Sequence, residues 1–139
     1  MLEQSLSLSD AKRMLAAAEA RATGFGIPYN IAVVDAGGHL IAFVRQDHAL
    51  IGSIDLAIKK AITARLFDKT TDFLATLSQP GEPLFGIHQS NRGDVVIFGG
   101  GIPVVWDGQV VGAVGASAGT VDQDIAVAEA AASAVPQQS

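Results

Sequence analysis

The sequence predicts an α+β fold, in which an antiparallel sheet is flanked by helices. Two hairpin patterns support this prediction. In the clearer one, an Asp-Gly pair at 107–108 joins the apolar runs 102–106 and 109–116, and this dipeptide readily takes the positive φ angles of a tight turn. In the other, a Gly-Gly pair separates the β-rich runs 30–35 and 39–45. Strands joined by hairpins run antiparallel, so the helices are expected beside the sheet rather than between its strands.

Capping signals and apolar spacing mark the first two helices. Ser7 or Ser9 is placed to cap the first helix, and Gly24 is its predicted end. A second helix is predicted over residues 53–67. Its predicted inner face carries Ile54, Ile58, Ala61 and Ile62.

Two further helices lie on either side of a loop and the second hairpin. Thr70 or Thr71 is predicted to cap a short helix that continues to Leu77. Thr120 begins a capping-box pattern for a last helix that ends near residue 134. The predicted order is therefore helix, hairpin, helix, helix, loop, three strands and helix.

Length and composition favour one domain over residues 1–139, with an ordered core over about residues 6–135. Hydrophobic residues make up 49% of the chain and charged residues 17%. Large apolar surfaces on soluble proteins are usually covered, so we assign this apolar surplus to a subunit interface. The chain is therefore expected to form a homo-oligomer.

Charge and cysteine content argue against several classes of function. A net charge of −5 disfavours a nucleic-acid partner, and no polybasic run suggests a membrane surface. A chain with no cysteine cannot form disulfides, use a catalytic thiol or hold zinc through thiolates. The N-terminal residues lack the pattern of a secretory signal, and no run of about 18 apolar residues could span a membrane. A cytoplasmic location is therefore expected.

A run of three glycines at 99–101, called here the glycine triplet, precedes the second hairpin. It is not a P-loop, because no Gly-Lys-Ser/Thr follows it and it leads into a strand. Residues without a Cβ allow a neighbouring backbone or a ligand to approach closely. Both interpretations of Gly100, tight packing and ligand contact, stay open.

The loop containing Ser117, Gly119 and Thr120 is a stronger candidate for a binding site. It leads into the last helix, whose free N–H groups and dipole favour a carboxylate or another anion. The simpler alternative is that Thr120 only caps its helix. The two roles are compatible.

Charged residues near the first hairpin and on the second helix complete the candidate site. Arg45 can bind a carboxylate through two parallel hydrogen bonds, or it can form an ion pair with Asp35 or Asp47. Of Lys59 and Lys60, one lies nearer the apolar helix face, where a lysine must be paired or neutralised; solvation of both is the alternative. We expect Arg45, Lys60 and the loop before the last helix to meet at one end of the sheet.

The three histidines, His39, His48 and His88, have no metal-ligand spacing, so no metal site is predicted. His39 follows a tight turn, where a solvated side chain is the ordinary outcome. His88 lies in a loop rich in Pro and Gly, from which a side chain can reach a pocket. His39 and His88 stay candidates for ligand binding. No G-x-S-x-G motif supports a hydrolase triad.

Four segments in the same order resemble the GlcG/HbpS-like haem-binding family: 33–47 (VVDAGGHLIAFVRQD), 53–67 (SIDLAIKKAITARLF), 98–120 (FGGGIPVVWDGQVVGAVGASAGT) and 123–128 (QDIAVA). The similarity covers nearly the whole chain. That family includes glycolate-operon accessory proteins, an extracellular haem-binding redox sensor component and the C-terminal domain of PduO-type cobalamin adenosyltransferases.

The resemblance implies a five-stranded antiparallel sheet with profilin-like layering, assembled into dimers and larger oligomers up to octamers. It makes haem the candidate cofactor, because some members bind haem and some are credited with degrading it. Three positions depart from the family pattern. Gln46 stands where Met is common, Ala118 where Gly is common, and Ile125 where an acidic residue is common.

Two main functions are therefore predicted, beside a third, an accessory subunit without chemistry. The first is binding of haem or a similar planar acid, with Thr120 or a histidine reaching the iron and Arg45 or Lys60 reaching the propionates. The second is a small-molecule enzyme in a catabolic pathway. In that case Asp47, Lys60 or Asp124 would act as acid–base groups around an anionic substrate.

Overall fold

The computed structural model describes residues 4–136, which form a sheet covered by helices on both faces. The four helices are α1 (Leu8–Phe25), α2 (Gly52–Phe67), α3 (Thr71–Ser78) and α4 (Val121–Ala132). The four strands are β1 (Asn30–Asp35), β2 (Leu40–Arg45), β3 (Gly101–Trp106) and β4 (Gln109–Ser117). Two short 3₁₀ helices, Ile87–Gln89 and Asn91–Gly93, lie in the loop between α3 and β3.

The strands lie in the order β2-β1-β4-β3, and every neighbouring pair is antiparallel. One face of the sheet packs against α1 and α4 in the larger apolar core, and the other face packs against α2. The predicted α+β class is confirmed. No helix within residues 4–136 is both long enough and apolar enough to cross a membrane.

The expectation of a five-stranded sheet is wrong for the described part of the chain, where the sheet has four strands. Of the three strands predicted after the loop, the first would lie before the second hairpin, where Val95 and Val96 are buried. Their backbone does not join the sheet. The N–H of Val96 donates to the hydroxyl of Thr63 on α2 at 3.0 Å, so a helix side chain replaces the neighbouring strand.

Local signals placed most element boundaries correctly. Ser7 and Thr120 both form capping boxes, and Thr70 caps α3. The turn at 107–108 takes the expected positive φ angles of 51° and 76°. Two predicted ends were wrong. The left-handed residue that ends α1 is Gly26 and not Gly24, and α4 ends at Ala132, before the predicted residue 134.

Alanines, and not the predicted isoleucines, form most of the face that α2 presents to the sheet. Ala57, Ala61 and Ala64 are fully buried, whereas the isoleucines of α2 are only partly buried. A Cβ on Gly115 of β4 would collide with the carbonyl oxygen of Ala57. Small residues on both sides therefore bring the helix and sheet backbones into close contact, and the larger side chains lie at the margins.

The sheet has two chemically different ends. At the glycine end, Arg45, Asn30 and Ser117 are neighbours in one row across β2, β1 and β4, and the glycine triplet leads into β3. At the hairpin end lie the β1–β2 and β3–β4 turns, with the C-terminal end of α2 beside them. The candidate residues are therefore divided between two separate places.

Candidate functional site

A buried ion pair lies at the glycine end. The ammonium of Lys60 donates to Oδ2 of Asp124 at 2.8 Å and to the carbonyl oxygen of Ala116 at 3.0 Å. The side chain of Lys60 is fully buried, and that of Asp124 is 5% exposed. Because Lys60 belongs to α2 and Asp124 to α4, the pair joins the two helical layers across the start of β3.

The second oxygen of Asp124 is also fully engaged. Oδ1 accepts the phenol of Tyr29 at 2.8 Å and the backbone N–H groups of Gly119 at 2.9 Å and Ala118 at 3.2 Å. The carboxylate thus receives four donors with its ammonium partner included. Such saturation is what a buried charge requires. We call these connected side chains the Lys60–Asp124–Tyr29 network.

Burial perturbs two groups of this network in opposite directions. Desolvation lowers the pKa of Lys60, and the hydrogen bond that its ammonium donates to Asp124 offsets part of that effect. Desolvation, followed by the hydrogen bond to Asp124, raises the pKa of Tyr29 well above its usual value. Tyr29 therefore stays a protonated donor at physiological pH. The neighbouring Lys59 instead lies near the surface and pairs with Asp55 at 3.0 Å.

Gly100 makes room for the lysine of the network. Its φ angle of 127° is one that side-chain-bearing residues rarely adopt. A Cβ at this position would lie 2.6 Å from the carbonyl oxygen of Ala116 and 2.7 Å from the ammonium of Lys60. The predicted close approach at Gly100 is confirmed, and the group that approaches is the buried lysine together with the β4 backbone.

An apolar surface lies beside this ion pair. Gly99 brings the backbone against Val121 and Ile125 of α4, since its Cβ would meet Val121 at 2.9 Å and Ile125 at 2.7 Å. The ring of Phe98 lies 5.0 Å from the ammonium of Lys60. Phe98 and Val121 are 39% and 42% exposed. We call Phe98, Val121 and Ile125 the apolar patch.

A small cavity of about 170 Å³ opens next to the patch. Gly100, Gly101 and Ile125 line one side of it, and Asp72 and Glu129 place acidic groups on its wall. Two carboxylates make this cavity unsuitable for the acidic part of a ligand. Its small volume also limits the size of any group that enters it.

The N-terminal end of α4 is capped by the chain itself. The hydroxyl of Thr120 accepts the N–H of Gln123 at 3.2 Å, and the amide oxygen of Gln123 accepts the N–H of Thr120 at 2.9 Å. The N–H of Gly119 is used by Asp124. The capping alternative for Thr120 therefore holds. Thr120 is exposed and directly precedes Val121 of the apolar patch.

Arg45 is exposed at the end of β2, in register with Asn30 and, through it, with Ser117. Adjacent strands lie about 4.8 Å apart, so Arg45 is about 10 Å from Ser117 across the sheet. Within residues 4–136 Arg45 forms no ion pair. The carboxylate of Asp35 is engaged elsewhere, because it accepts the N–H groups of Gly37 and His39.

Asn30, between Arg45 and Ser117 in this row, was missed by the sequence reasoning. Its side chain is fully buried, and its Nδ2 donates to the carbonyl oxygen of Leu50 at 2.9 Å. Its Oδ1 is buried without a partner among the described residues. This acceptor, which no described residue uses, gives the glycine end further capacity for hydrogen bonding.

The structure does not bring the candidate histidines to the network. His39 lies at the opposite, hairpin end of the sheet. His88 lies in the first 3₁₀ helix with its ring edge-on to Phe85 at 6.0 Å between centroids. Its Nδ1 is buried without a partner in the described part of the chain. Asp47 is exposed after β2. No cluster of three or more metal-ligating side chains occurs within residues 4–136.

Tyr29 and Phe98 were also missed. Gln46 is one of the three departures from the family pattern, and its Oε1 accepts the N–H of Tyr29 at 2.9 Å. That departure is the one sequence feature that pointed toward Tyr29. Phe98 gave a weaker signal, an aromatic residue directly before the glycine triplet. Neither signal indicates by itself a contact with Asp124 or Lys60.

Comparisons with known proteins agree with this architecture. The model of the family described as "Haem degrading protein HbpS-like" matches residues 6–133. A 15.0 kDa protein of uncharacterised function, from the dhaT-dhaS intergenic region of Citrobacter freundii, is 42% identical over 127 residues. The alignment covers 91% of this chain and 89% of that protein.

Two solved structures have the same fold. Klebsiella pneumoniae protein ORFY superposes with a TM-score of 0.93 at 37% identity, covering 96% of this chain and 92% of its own. The crystal structure of a PduOC:haem complex superposes with a TM-score of 0.90 at 37% identity, covering 94% of this chain and 95% of its own.

Proposed function

Because the chain belongs to the HbpS-like family, we propose that it binds haem, or a similar planar ligand that carries carboxylates, at the glycine end of its sheet. One observation carries the proposal. The half-exposed Phe98 and Val121 belong to the apolar patch beside the glycine triplet, and Arg45, which has no ion pair within residues 4–136, lies at the other side of the same end. An apolar surface and an exposed cation at the same end of the sheet suit a ligand with an apolar body and an acidic edge.

The size of the cavity limits how such a ligand can bind. Pockets that enclose drug-sized ligands have volumes of about 300–1,000 Å³, and the cavity beside Gly100 has about 170 Å³. A macrocycle cannot enter it. The described residues therefore fit one face of a planar ligand that lies on the apolar patch.

The charges favour Arg45 over Lys60 as the group that holds the carboxylates. The ammonium of Lys60 already donates to Asp124 and to the carbonyl oxygen of Ala116, and its side chain is fully buried. Arg45 is exposed and has no ion pair within residues 4–136. Lys60 would contribute a fixed positive charge beneath the ligand instead of a direct bond.

Among the candidate iron ligands, Thr120 has the most favourable position, because it directly precedes Val121 of the apolar patch. His39 lies at the other end of the sheet. Bound haem would supply an iron centre whose reactivity depends on its axial ligand and on the polarity around it. The residues of this chain would provide the apolar surface, the cationic anchor and the hydroxyl.

A haemin titration followed by absorbance tests the proposal. Arg45→Ala should weaken binding by about 1.5–3 kcal/mol, the scale of a hydrogen bond to a charged group, which is about 10- to 150-fold. Lys12→Ala removes an exposed cation from α1 and is the matched control, for which we expect wild-type affinity. The proposal fails at Arg45 if both variants bind haemin like the wild type.

A second pair of variants tests the apolar patch in the same titration. Val121→Glu places a carboxylate on the patch at a helical position where an acidic residue is tolerated, and should abolish most haemin binding. Val105→Glu changes a similarly exposed valine (51%) on β3, outside the patch, and should leave binding unchanged. Equal loss in both variants would indicate nonspecific adsorption.

Assembly into a dimer or larger oligomer is part of the proposal. Leu50 and Ile51, directly before α2, are 61% and 79% exposed. Two neighbouring apolar side chains at this level of exposure favour contact with another copy of the chain. Light scattering at micromolar concentration should give a mass of at least two chains, and a stable monomer of 14.3 kDa would contradict it.

The second candidate function is acid–base catalysis on a small carboxylate. The lowered pKa of Lys60 and its bond to Asp124 support it, since perturbed pKa values are frequent among catalytic groups. Full burial of Lys60 counts against it, because a substrate cannot reach the ammonium without a rearrangement of the residues around it. Calorimetric titration with a panel of small organic acids separates the two candidate functions. Catalysis on a small carboxylate requires that one of these acids binds even if haemin does not bind.

A further inference from the structure

A cleft of about 500 Å³ lies where the β1–β2 turn, the outer side of α2 and the second 3₁₀ helix meet. His39, Ile62, Leu66 and Arg92 line it. We propose that this Arg92 cleft binds a small anion, in which a phosphate or carboxylate head is attached to an apolar body. The site is separate from the glycine end, so it does not depend on the function proposed above.

The backbone beside the cleft has an unfavourable conformation. Asn91, Arg92 and Gly93 take successive left-handed φ angles of 51°, 61° and 76°. Asn and Gly adopt this conformation readily, whereas for arginine the Cβ crowds the backbone and the conformation costs free energy. A second Asn or a Gly at position 92 would avoid that cost.

The chain gives Arg92 no compensating contact. The turn is closed by backbone bonds from Gly93 to Ser90 at 3.0 Å and from Asp94 to Asn91 at 3.1 Å, which any residue at position 92 would allow. Within residues 4–136 the guanidinium of Arg92 makes no hydrogen bond, ion pair or cation–π contact. Strained residues of this kind are concentrated at ligand-binding positions.

One acidic residue, Asp94, also lines the cleft, and it and the nearby Asp35 already have partners. Asp94 pairs with Lys59 at 3.7 Å. The carboxylate of Asp35, before the β1–β2 turn, accepts the N–H groups of Gly37 at 2.9 Å and His39 at 3.0 Å. Arg92 is the cation that lines the cleft, and the imidazole of His39 lies beside it as a second nitrogen donor. The cleft therefore favours an anionic head.

The opposite wall of the cleft is apolar. Ile62 and Leu66 lie one turn apart on α2, and Leu66 is 46% exposed. A volume of about 500 Å³ lies within the range of pockets that hold small organic ligands. An anionic head at Arg92 would leave the rest of the ligand against these two side chains, which is why an apolar body is required.

The test is a titration of nitrogen-15-labelled protein with phenyl phosphate, benzoate and inorganic phosphate, followed by NMR. The two aromatic probes distinguish a phosphate head from a carboxylate head, and inorganic phosphate lacks the apolar body. Arg92→Gly removes the guanidinium and relieves the left-handed strain. Asn91→Gly changes the same turn and keeps Arg92, so it is the matched control.

We expect at least one aromatic probe to shift the amide signals of His39, Leu66 and Arg92 in a saturable way, with inorganic phosphate binding more weakly. Arg92→Gly should weaken that binding at least tenfold and raise the melting temperature, whereas Asn91→Gly should bind like the wild type. No saturable shift with either aromatic probe, or equal affinity in Arg92→Gly, would overturn the proposal. A lower melting temperature of Arg92→Gly would overturn its premise that the chain does not hold the guanidinium.

Discussion

The glycine end and the hairpin end of the sheet each contain an ion pair, and the two pairs have different surroundings. At the glycine end the side chains of Lys60 and Asp124 are 0% and 5% exposed. At the hairpin end those of Arg65 and Asp68 are 30% and 52% exposed. Their N–O distances, 2.8 Å and 2.7 Å, are nearly equal.

Distance alone therefore says little about what each pair contributes. An exposed pair exchanges its partner for water at little cost, and its contribution is typically below about 1 kcal/mol. A buried pair cannot make that exchange, so loss of either partner leaves a charge without solvation. The glycine end is consequently the part of the molecule where substitutions should have large effects, and where charge and packing are fixed in advance of any ligand.

Removing one partner from each pair should give the largest contrast. We expect Asp124→Asn to lower the free energy of unfolding by about 3–5 kcal/mol, because Lys60 would remain buried without a charged partner. Asp68→Asn should cost less than about 1 kcal/mol, since asparagine removes the charge and also tolerates the left-handed conformation of residue 68. Urea unfolding of both variants measures the difference. Similar small losses would mean that Lys60 reaches water when its partner is removed.

Filling the space beside Lys60 should have the next largest effect. Gly100→Val introduces a Cβ that would meet Ala116 at 2.6 Å in a backbone conformation unfavourable for valine. Overpacking and strain together should cost about 2–4 kcal/mol. Gly24→Ala is the control, since a Cβ there has no neighbour within 4 Å. Inside a helix that change should stabilise by about 0.5–1 kcal/mol. An unchanged melting temperature for Gly100→Val would contradict the tight fit.

A smaller effect should appear in the pH dependence of stability. The pKa of Tyr29 is raised on folding, so its contribution is fully present below its ordinary value of 10.0 and is lost as the pH rises above it. The lowered pKa of Lys60 acts in the opposite sense, raising stability with pH up to its ordinary value of 10.5. Lys60 is present in both the wild type and Tyr29→Phe. The difference in stability between these two proteins therefore reports on the ionisation of Tyr29.

Relative to Tyr29→Phe, the wild type should lose about 1.4 kcal/mol of unfolding free energy between about pH 8 and about pH 11. Tyr29 is the single tyrosine of the chain, so the ultraviolet absorbance of its phenolate reports on it alone. In the folded protein that signal should appear only well above pH 10. Ionisation near the ordinary value would show that the phenol is accessible to water.

The same contrast explains what the sequence could predict. Thr120 was identified as a helix cap because its partner Gln123 lies three positions away. The turn at 107–108 was recognised for the same local reason. By contrast, Tyr29 and Asp124 are separated by 95 positions, and no local pattern joins them. Bonds within a few residues can be read from the sequence, whereas the network at the glycine end is formed by tertiary packing.

Two neighbouring residues show where local reasoning stops. Lys59 and Lys60 were both candidates for the buried lysine, and helical spacing indicated that one would lie nearer the apolar face. Lys60 is the buried one because Gly100 leaves space for its ammonium and Asp124 accepts it. Similarly, residues 95–98 have strand-like composition, and the hydroxyl of Thr63 on α2 takes an N–H that a fifth strand would need.

The central claim is that a planar, acid-bearing ligand binds at the glycine end, and paramagnetic NMR tests it most directly. Substoichiometric haemin added to nitrogen-15-labelled protein should broaden the amide signals nearest the bound iron. We predict selective loss of the signals of Gly99, Gly100, Thr120 and Val121, with those of Gly37 and Gly38 at the hairpin end unchanged. Broadening centred on Gly37 and Gly38, or equal broadening at both ends, would contradict the claim.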